Sequence, residues 1–277
     1  MKLNKQSVEY LDQTEMNYSK HIERCGRVCY QSDHLIKEGS DEKFVQRILN
    51  NGHTSVLEHY WVTIEFDRVK EDYCGTTLIS NKYLRYVHDT DCTKIRYTGN
   101  LRAWLQLKYK NKNLRATLYE LFPLLFDYAE GDICKSFINA NGPYRPITMR
   151  IITNRAIANE LVRHRVMSFS QESTRFCDYA KKDLSFIQPW GYDTMSRHEK
   201  EDINSIFSRS EANYMASKMQ PQHKRDLLPL GLKTELVMTG TREMWQAAYN
   251  LRGPHTSAHP QVKELMEMID ERVRIKP

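Results

Sequence analysis

The sequence predicts an α/β (α+β) chain, because strand-like segments run directly into helical ones and the apolar content suffices for a core. Two junctions carry the prediction. "ITMRIITN" (147–154) reads as a strand and passes straight into "RAIANELVRHR" (155–165), where Ile157, Leu161 and His164 recur at i, i+4 and i+7. "LLPLGLKTELVMTG" (227–240) reads as another strand and passes into the helix "TREMWQAAYNLR" (241–252), with Thr241 placed as N-cap. The 277 residues, 40% hydrophobic and 27% charged, suit one elaborated domain or two small ones.

The remaining elements follow in order. "HIERCGRVCY" and "DEKFVQRILNNGH" predict helices; Phe44 and Ile48, with Leu49 beside them, form an i, i+4 stripe that Asn51-Gly52 stops. The tail of "TSVLEHYWVTIEF" alternates, with Trp61, Thr63 and Glu65 against Val62, Ile64 and Phe66, as a strand does. From about residue 67 to 144 the chain becomes rich in charge and tyrosine. Short strands are expected at "KYLRYVH" and "KIRYTG", and helices at "LRAWLQLKY" and "ATLYELFPLLFDYAE", with Pro123 ending or kinking the second. "NANGPYRP" is a loop. "SRHEKEDINSIFSRSEANYMASKM" is a charged helix and "HPQVKELMEMIDERV" the last one. An internal echo, "YTGNLRAW" (97–104) against "MTGTREMW" (238–245), reads as a shared strand–turn–helix solution rather than a duplicated unit.

Composition removes several function classes. No apolar run approaches the ~20 residues that cross a bilayer, and sixteen tyrosines with four tryptophans argue against disorder. The start, "MKLNKQSVEYLDQTE", has no apolar signal-peptide region, so a cytoplasmic location is expected. The six cysteines form no C-x-x-C pair and the histidines near them complete no zinc spacing, so free thiols and no metal are expected. A formal charge of +6 fits anionic small molecules and nucleic acid alike.

The chemistry concentrates in "RHRVMSFSQESTRF" (163–176), where three arginines, one histidine and four hydroxyl residues surround a single acid, Glu172. Successive helical residues point about 100° apart, so either the helix ends at Arg163-His164-Arg165 or the two arginines serve two ligands. The serine-rich continuation favours an end. Guanidinium forks suit phosphate and the edge of a pyrimidine-like ring, and the groups of residues 168–175 complete an anion-binding concavity. The bland alternative is a surface helix end paired to acids. Trp245, Tyr249 and Arg252 fall at i, i+4 and i+7, so Arg252 continues an aromatic stripe and needs an acceptor, either a core acid or a ligand. Arg225, in "HKRDLLP", reads first as part of a solvated turn. In "NGHTSVLEH", Ser55 with Glu58 spells a capping box that competes with a cofactor contact. Cys177 has no partner base at a suitable spacing and reads as an ordinary thiol.

These residues resemble the R-H-R-x7-S signature of the flavin-dependent thymidylate synthases: Arg163-His164-Arg165, seven residues, Ser173, then Arg175 and an aromatic. The similarity continues through "NGHTSVLEH", "RDLLPLGLKTELVMTG" and "WQAAYNLRGPHTSAHPQVKEL" and covers about residues 20–66 and 146–270. It implies a subunit with a central mixed sheet flanked by helices. Residues 1–66 and 146–277 would form the catalytic domain, and 67–145 an α/β insertion within it. It further implies a homotetramer with FAD at subunit interfaces, and methylation of dUMP to dTMP with methylenetetrahydrofolate as one-carbon donor and NADPH as reductant. Carried over by position, dUMP binding falls to Glu160, Arg163, Gln171, Glu172, Ser173, Thr174, Arg175, Arg225 and Arg252. FAD binding falls to His53, Ser55, Glu58, Arg163, His164, Arg165, Val166, Gln171 and Thr241. Arg252 is the catalytic candidate, since an arginine at the ring edge would stabilise charge developing on the uracil where no activating cysteine is in place. Ser173 is assigned to binding. Thr241 and Ala247 stand where members often carry flavin-contacting asparagines, Phe176 replaces the usual tyrosine, and "RGPHTSAHP" leaves the roles of His255 and His259 open. The competing readings are a nucleic-acid-binding protein that uses the basic segment on phosphates, and a member of the fold that has lost catalysis.

Overall fold

The computed structural model describes residues 1–67, 83–88, 93–107, 112–137, 144–182 and 184–276. Its strands are β1 (Leu3–Asn4), β2 (Ser7–Tyr10), β3 (Trp61–Asp67), β4 (Leu84–His88), β5 (Lys94–Asn100), β6 (Lys135–Phe137), β7 (Pro146–Asn154), β8 (Ser168–Gln171), β9 (Phe186–Ile187) and β10 (Lys233–Thr241). Its α-helices are α1 (Tyr18–Arg27), α2 (Ser40–Asn50), α3 (Leu101–Gln106), α4 (Lys112–Leu121), α5 (Arg155–Leu161), α6 (Arg197–Ala216), α7 (Pro221–Lys224), α8 (Arg242–Arg252) and α9 (Pro260–Val273). The α/β class holds. The expected single central mixed sheet resolves instead into two four-stranded antiparallel sheets, β2-β7-β10-β8 and β4-β5-β3-β6, plus a parallel β1–β9 pair. None of the helices among the described residues is long and apolar enough to cross a membrane.

Local chemistry accounts for most boundaries. Asn154 and Thr241 accept hydrogen bonds from the backbone N–H groups of Ile157 and Met244, so each strand ends in a residue that caps the next helix. Helix α6 opens on a full capping box, Ser196 with Glu199. Helix α4 stops at Leu121, two residues before Pro123. Two predictions need correction. The helix expected over 155–165 ends at Leu161, so the arginine signature lies in a turn and then in β8, which the serines had disguised. Ser55 and Glu58 form no capping box, because residues Thr54–His59 make a 3-10 helix without a side-chain cap. Residues 108–109 of "LRAWLQLKY", the first residue of "KYLRYVH" and most of the "NANGPYRP" loop fall outside the described residues.

The internal echo runs deeper than a shared turn. In one sheet Thr63 faces Thr98 and their hydroxyl oxygens lie 2.7 Å apart; in the other Thr148 faces Thr239 at 2.9 Å. Leu101 N–H donates to the Tyr60 carbonyl, and Arg242 N–H to that of Arg145. The indoles of Trp104 and Trp245 donate to the Val62 and Ile147 carbonyls, in each case two residues beyond the carbonyl just named. Gly99 and Gly240 sit where a Cβ would be 2.1 Å from Leu84 Cδ2 and 2.7 Å from Met167 Cε, so both strand ends need glycine for close packing. β3–β5–α3 thus repeats β7–β10–α8 contact for contact.

Each sheet has its own core. Val8, Met149, Ile151, Leu236 and Met238 face Leu161, Trp245, Val262 and Leu265 of the helices α5, α8 and α9. The other core unites Phe44, Ile48, Leu57 and Ile64 with Ile95, Trp104, Leu118 and Phe122, so the 67–145 segment and the chain before it bury apolar surface against each other.

Candidate functional site

Three groups of site residues emerge around β8, the edge strand beside β10. Because side chains alternate along a strand, Ser168 and Ser170 face one side of the sheet, and Phe169 and Gln171 face the side covered by α5 and α8.

The first group lies at the ends of α5 and α8. Arg252 Nη1 donates to Glu160 Oε2 at 2.8 Å, with both side chains about a quarter exposed. This is the acceptor that the aromatic stripe of α8 demanded. Beside the pair sits the half-buried His164. Burial, and secondly the Arg252 charge, hold its imidazole below the ordinary histidine pKa. His164 Nε2 and Gln171 Nε2 are buried without a hydrogen-bond partner among the described residues. Arg163, Arg165 and Val166 are exposed in the turn between α5 and β8.

The second group follows β8. Ser173 N–H donates to the Cys29 carbonyl at 3.0 Å, Thr174 is half-buried, and the exposed Arg175 lies over the Phe176 ring, 5.3 Å from its centroid. Tyr30 packs against Phe176 at 5.8 Å. Glu172 turns away from this surface. Its carboxyl accepts from the Tyr179 hydroxyl and from the Glu235 N–H at 3.2 Å, with Lys233 Nζ at 3.8 Å. Burial raises its pKa above the ordinary carboxylate range against the opposing pull of Lys233. A nucleotide contact from Glu172 would have to break these bonds, because the carboxyl is directed into the core.

The third group is the 53–59 turn on the opposite side of the sheet. His53 and Ser55 are exposed, and His53 lines a cavity of about 320 Å³ with Arg27, Tyr30, Phe44 and Arg47. Glu58 is paired with Arg102 Nη1 at 2.5 Å. His59 is fully buried: Nδ1 lies 2.7 Å from Thr239 Oγ1 and Nε2 2.9 Å from Ser170 Oγ. This residue ties the turn to the signature strand.

Two expected residues stand apart. Arg225 is half exposed beside Asp226 at 3.8 Å, and no described contact joins it to the Glu160–Arg252 pair. Thr241 is fully buried and spends its hydroxyl on capping α8. Arg102 and Tyr30 escaped the sequence reading, since neither carries a motif and both reach the site only through tertiary contacts.

The unspent donors decide what the site could hold. Arg163, Arg165 and Arg175 have no carboxylate partner among the described residues, and the orphaned nitrogens of His164 and Gln171 call for further partners. That set fits a ligand rich in phosphate and carbonyl oxygens, as FAD and a nucleotide are; the Thr241 hydroxyl does not fit that role.

The family profile described as thymidylate synthase complementing protein matches residues 11–71 and 145–276. The chain belongs to the thymidylate synthase complementing protein family. This is the family that the arginine signature resembles, and its profile leaves residues 72–144 unmatched. Among solved structures, the chain is similar to the UMP/dUMP methylase PolB from Streptomyces cacaoi bound with 5-Br dUMP. The identity is 13%, over 98% of this chain and 91% of that one, with a TM-score of 0.41. A search of curated proteins finds no match.

Proposed function

We propose that this protein is a flavin-dependent thymidylate synthase, which methylates dUMP to dTMP with methylenetetrahydrofolate as one-carbon donor and NADPH as reductant. One observation carries the reading within the family assignment. Among the described residues the guanidinium groups of Arg163, Arg165 and Arg175 have no carboxylate partner, while the acids Glu160, Glu172 and Glu235 are engaged by Arg252, Tyr179 and Arg150 respectively. A surface built only for stability would neutralise such a cluster; one built for phosphates leaves it open.

Arg175, Ser173 and Thr174, with Arg225, would neutralise and orient the nucleotide phosphate. Arg252 would lie at the uracil edge. Among the described contacts Glu160 accepts from its Nη1 alone, so the guanidinium keeps further donors for negative charge that develops on the ring when C5 acts as a carbon nucleophile. Arg163, Arg165 and Gln171, with the weakly basic His164, would hold FAD, and His53, Ser55 and Glu58 would line its other side. FAD supplies hydride chemistry when bound. The outward exposure of Arg163, Arg165 and Arg175 supports assembly with other copies of the chain, most simply the expected homotetramer, whose surfaces would close the sites.

The test is reconstitution of purified protein with FAD. Addition of dUMP should perturb the flavin spectrum, and full turnover should need methylenetetrahydrofolate and NADPH. A protein that takes up no flavin, and whose affinity for DNA falls steeply with salt, would refute the proposal in favour of nucleic-acid binding.

A further inference from the structure

We propose that the cavity between the 188–194 loop and the start of α9 binds a co-substrate, through a planar aromatic ring that stacks on Trp190 and an anionic group that meets Lys263. The inference rests on the functional reading above. In that reading the arginine signature and the 53–59 turn account for dUMP and FAD. The reductant and the one-carbon donor are left without a cavity, and both carry an aromatic ring joined to an anionic group.

The cavity measures about 580 Å³, the size of a small-ligand site, and its lining includes Lys5, Trp190, Tyr192, Pro254, Lys263 and Glu267. Its walls are fixed to one another. Gln188 N–H donates to the Asn4 carbonyl at 2.9 Å. The buried Gln261 ties the two sides together, donating through Nε2 to the Gln188 carbonyl at 3.0 Å and accepting from Asn154 Nδ2 at 3.1 Å. Gly191, at φ 74°, turns the loop between Trp190 and Tyr192, and both line the space. Pro254 stands two residues past Arg252, so the cavity borders the segment that leaves the Glu160–Arg252 pair.

Several polar groups of the lining are already satisfied. Asp193 accepts from Gln188 Nε2 at 3.0 Å with Lys5 Nζ at 3.9 Å, Glu264 accepts from Gln6 Nε2 at 2.5 Å, and the Tyr192 hydroxyl donates to Asn204 at 3.1 Å. Trp190 is different. It is 59% exposed, and neither its ring nor its indole N–H has a partner among the described residues. The side chains of the half-buried Lys263 and of Glu267, one turn apart on α9, are likewise without a partner among them. A bare indole face stacks on a planar aromatic ring. A half-buried ammonium with no counter-charge favours an anion, and a free carboxylate accepts from N–H donors. Ring, anion and N–H group together describe the adenosine phosphate end of NADPH and the aminobenzoyl-glutamate end of methylenetetrahydrofolate alike.

The experiment pairs acrylamide quenching of tryptophan emission with steady-state kinetics. Trp61, Trp104 and Trp245 are buried, so the quenchable emission belongs to Trp190. NADP⁺ or folate, added to the parent protein, should roughly halve the quenching constant, because a stacked ring covers one face of the indole. In the holoenzyme, Trp190→Ala and Lys263→Gln should each raise the KM of the matching co-substrate on the order of tenfold, the loss that a stacked ring or a charge-assisted contact carries. The KM for dUMP should not move, and Trp190→Phe should recover most of the loss because it keeps a ring. A shift confined to NADPH assigns the cavity to the reductant; one confined to methylenetetrahydrofolate assigns it to the one-carbon donor. Protection by neither probe overturns the proposal. So do KM values for both co-substrates that stay at the parent level in Trp190→Ala and Lys263→Gln, or a shift for dUMP alone. A parent protein without flavin-dependent turnover of dUMP sinks the functional reading, and the quenching measurement then decides the cavity by itself.

Discussion

Acidification should destabilise this protein well above the carboxylate range, through two buried histidines. His59 is fully buried between Thr239 and Ser170, and burial depresses its pKa to about 3. His21 is also buried, with Nε2 3.1 Å from the His59 carbonyl and Nδ1 without a partner among the described residues, and its pKa is pushed down to about 4 by the same cause. In the unfolded chain both return to the ordinary 6.5. Between the two values the unfolded state binds more protons, so stability is full above pH 6.5 and falls as pH drops below it. Each histidine contributes a slope of about 1.4 kcal/mol per pH unit. From pH 6.5 to about 5 that is roughly 2 kcal/mol per histidine and about 4 kcal/mol together. Glu65 and Glu235, whose carboxyls are held below the ordinary range, lose their contribution only at still lower pH. Glu172, shifted upward, opposes the trend as it takes up a proton in the folded state. Urea midpoints across this range measure the slope, and His59→Gln should remove roughly half of it. A stability that stays flat from pH 7 to 5, or a His59 imidazole that titrates near 6.5 by NMR, would refute the reasoning.

Three further outcomes follow from the site. Arg252→Ala should abolish most turnover while FAD is retained, and should cost at most about 1 kcal/mol of stability because its ion pair is partly solvated; unchanged kcat would remove it from the reaction. Glu172→Ala and Arg175→Ala should separate structure from binding. The first strands the Tyr179 hydroxyl, while Lys233 keeps Glu235 at 2.5 Å, and lowers stability by roughly 2 kcal/mol; the second leaves the denaturation midpoint in place and weakens dUMP binding in a spectral titration. Thr241→Ala should lower stability by about 1 kcal/mol through the lost helix cap and leave flavin affinity unaltered; a weaker flavin complex in the folded protein would show that the hydroxyl does more than cap α8.

Most of the α-helices and the strands β3, β5, β7 and β10 are legible in the sequence because apolar period, cap residues and proline act locally. The Thr241 cap and the stop before Pro123 needed no tertiary knowledge. The signature strand β8 was hidden, because its serines satisfy themselves against His59 and β10 from distant parts of the chain. The same holds for the short strands β1, β2, β6 and β9, whose pairing partners lie far away in sequence. Glu172 and Arg175 stand three residues apart and read alike as polar, yet one is buried on Tyr179 and the other exposed. That division, to which composition is blind, follows from the backbone of Glu172, which still bonds to Glu235 of β10, while Arg175 lies in the turn beyond.

The sequence alone determined the family, the residue types able to grip an anionic nucleotide and the need of Arg252 for an acceptor, since each is a matter of local spacing and of the cost of an unpaired charge. Tertiary structure alone decided that the acceptor is Glu160, that Thr241 is spent on a helix end, and that Arg102 meets Glu58. These are meetings of groups dozens of residues or more apart, and only the folded backbone sets the distances that make one carboxylate a partner and leave another guanidinium free.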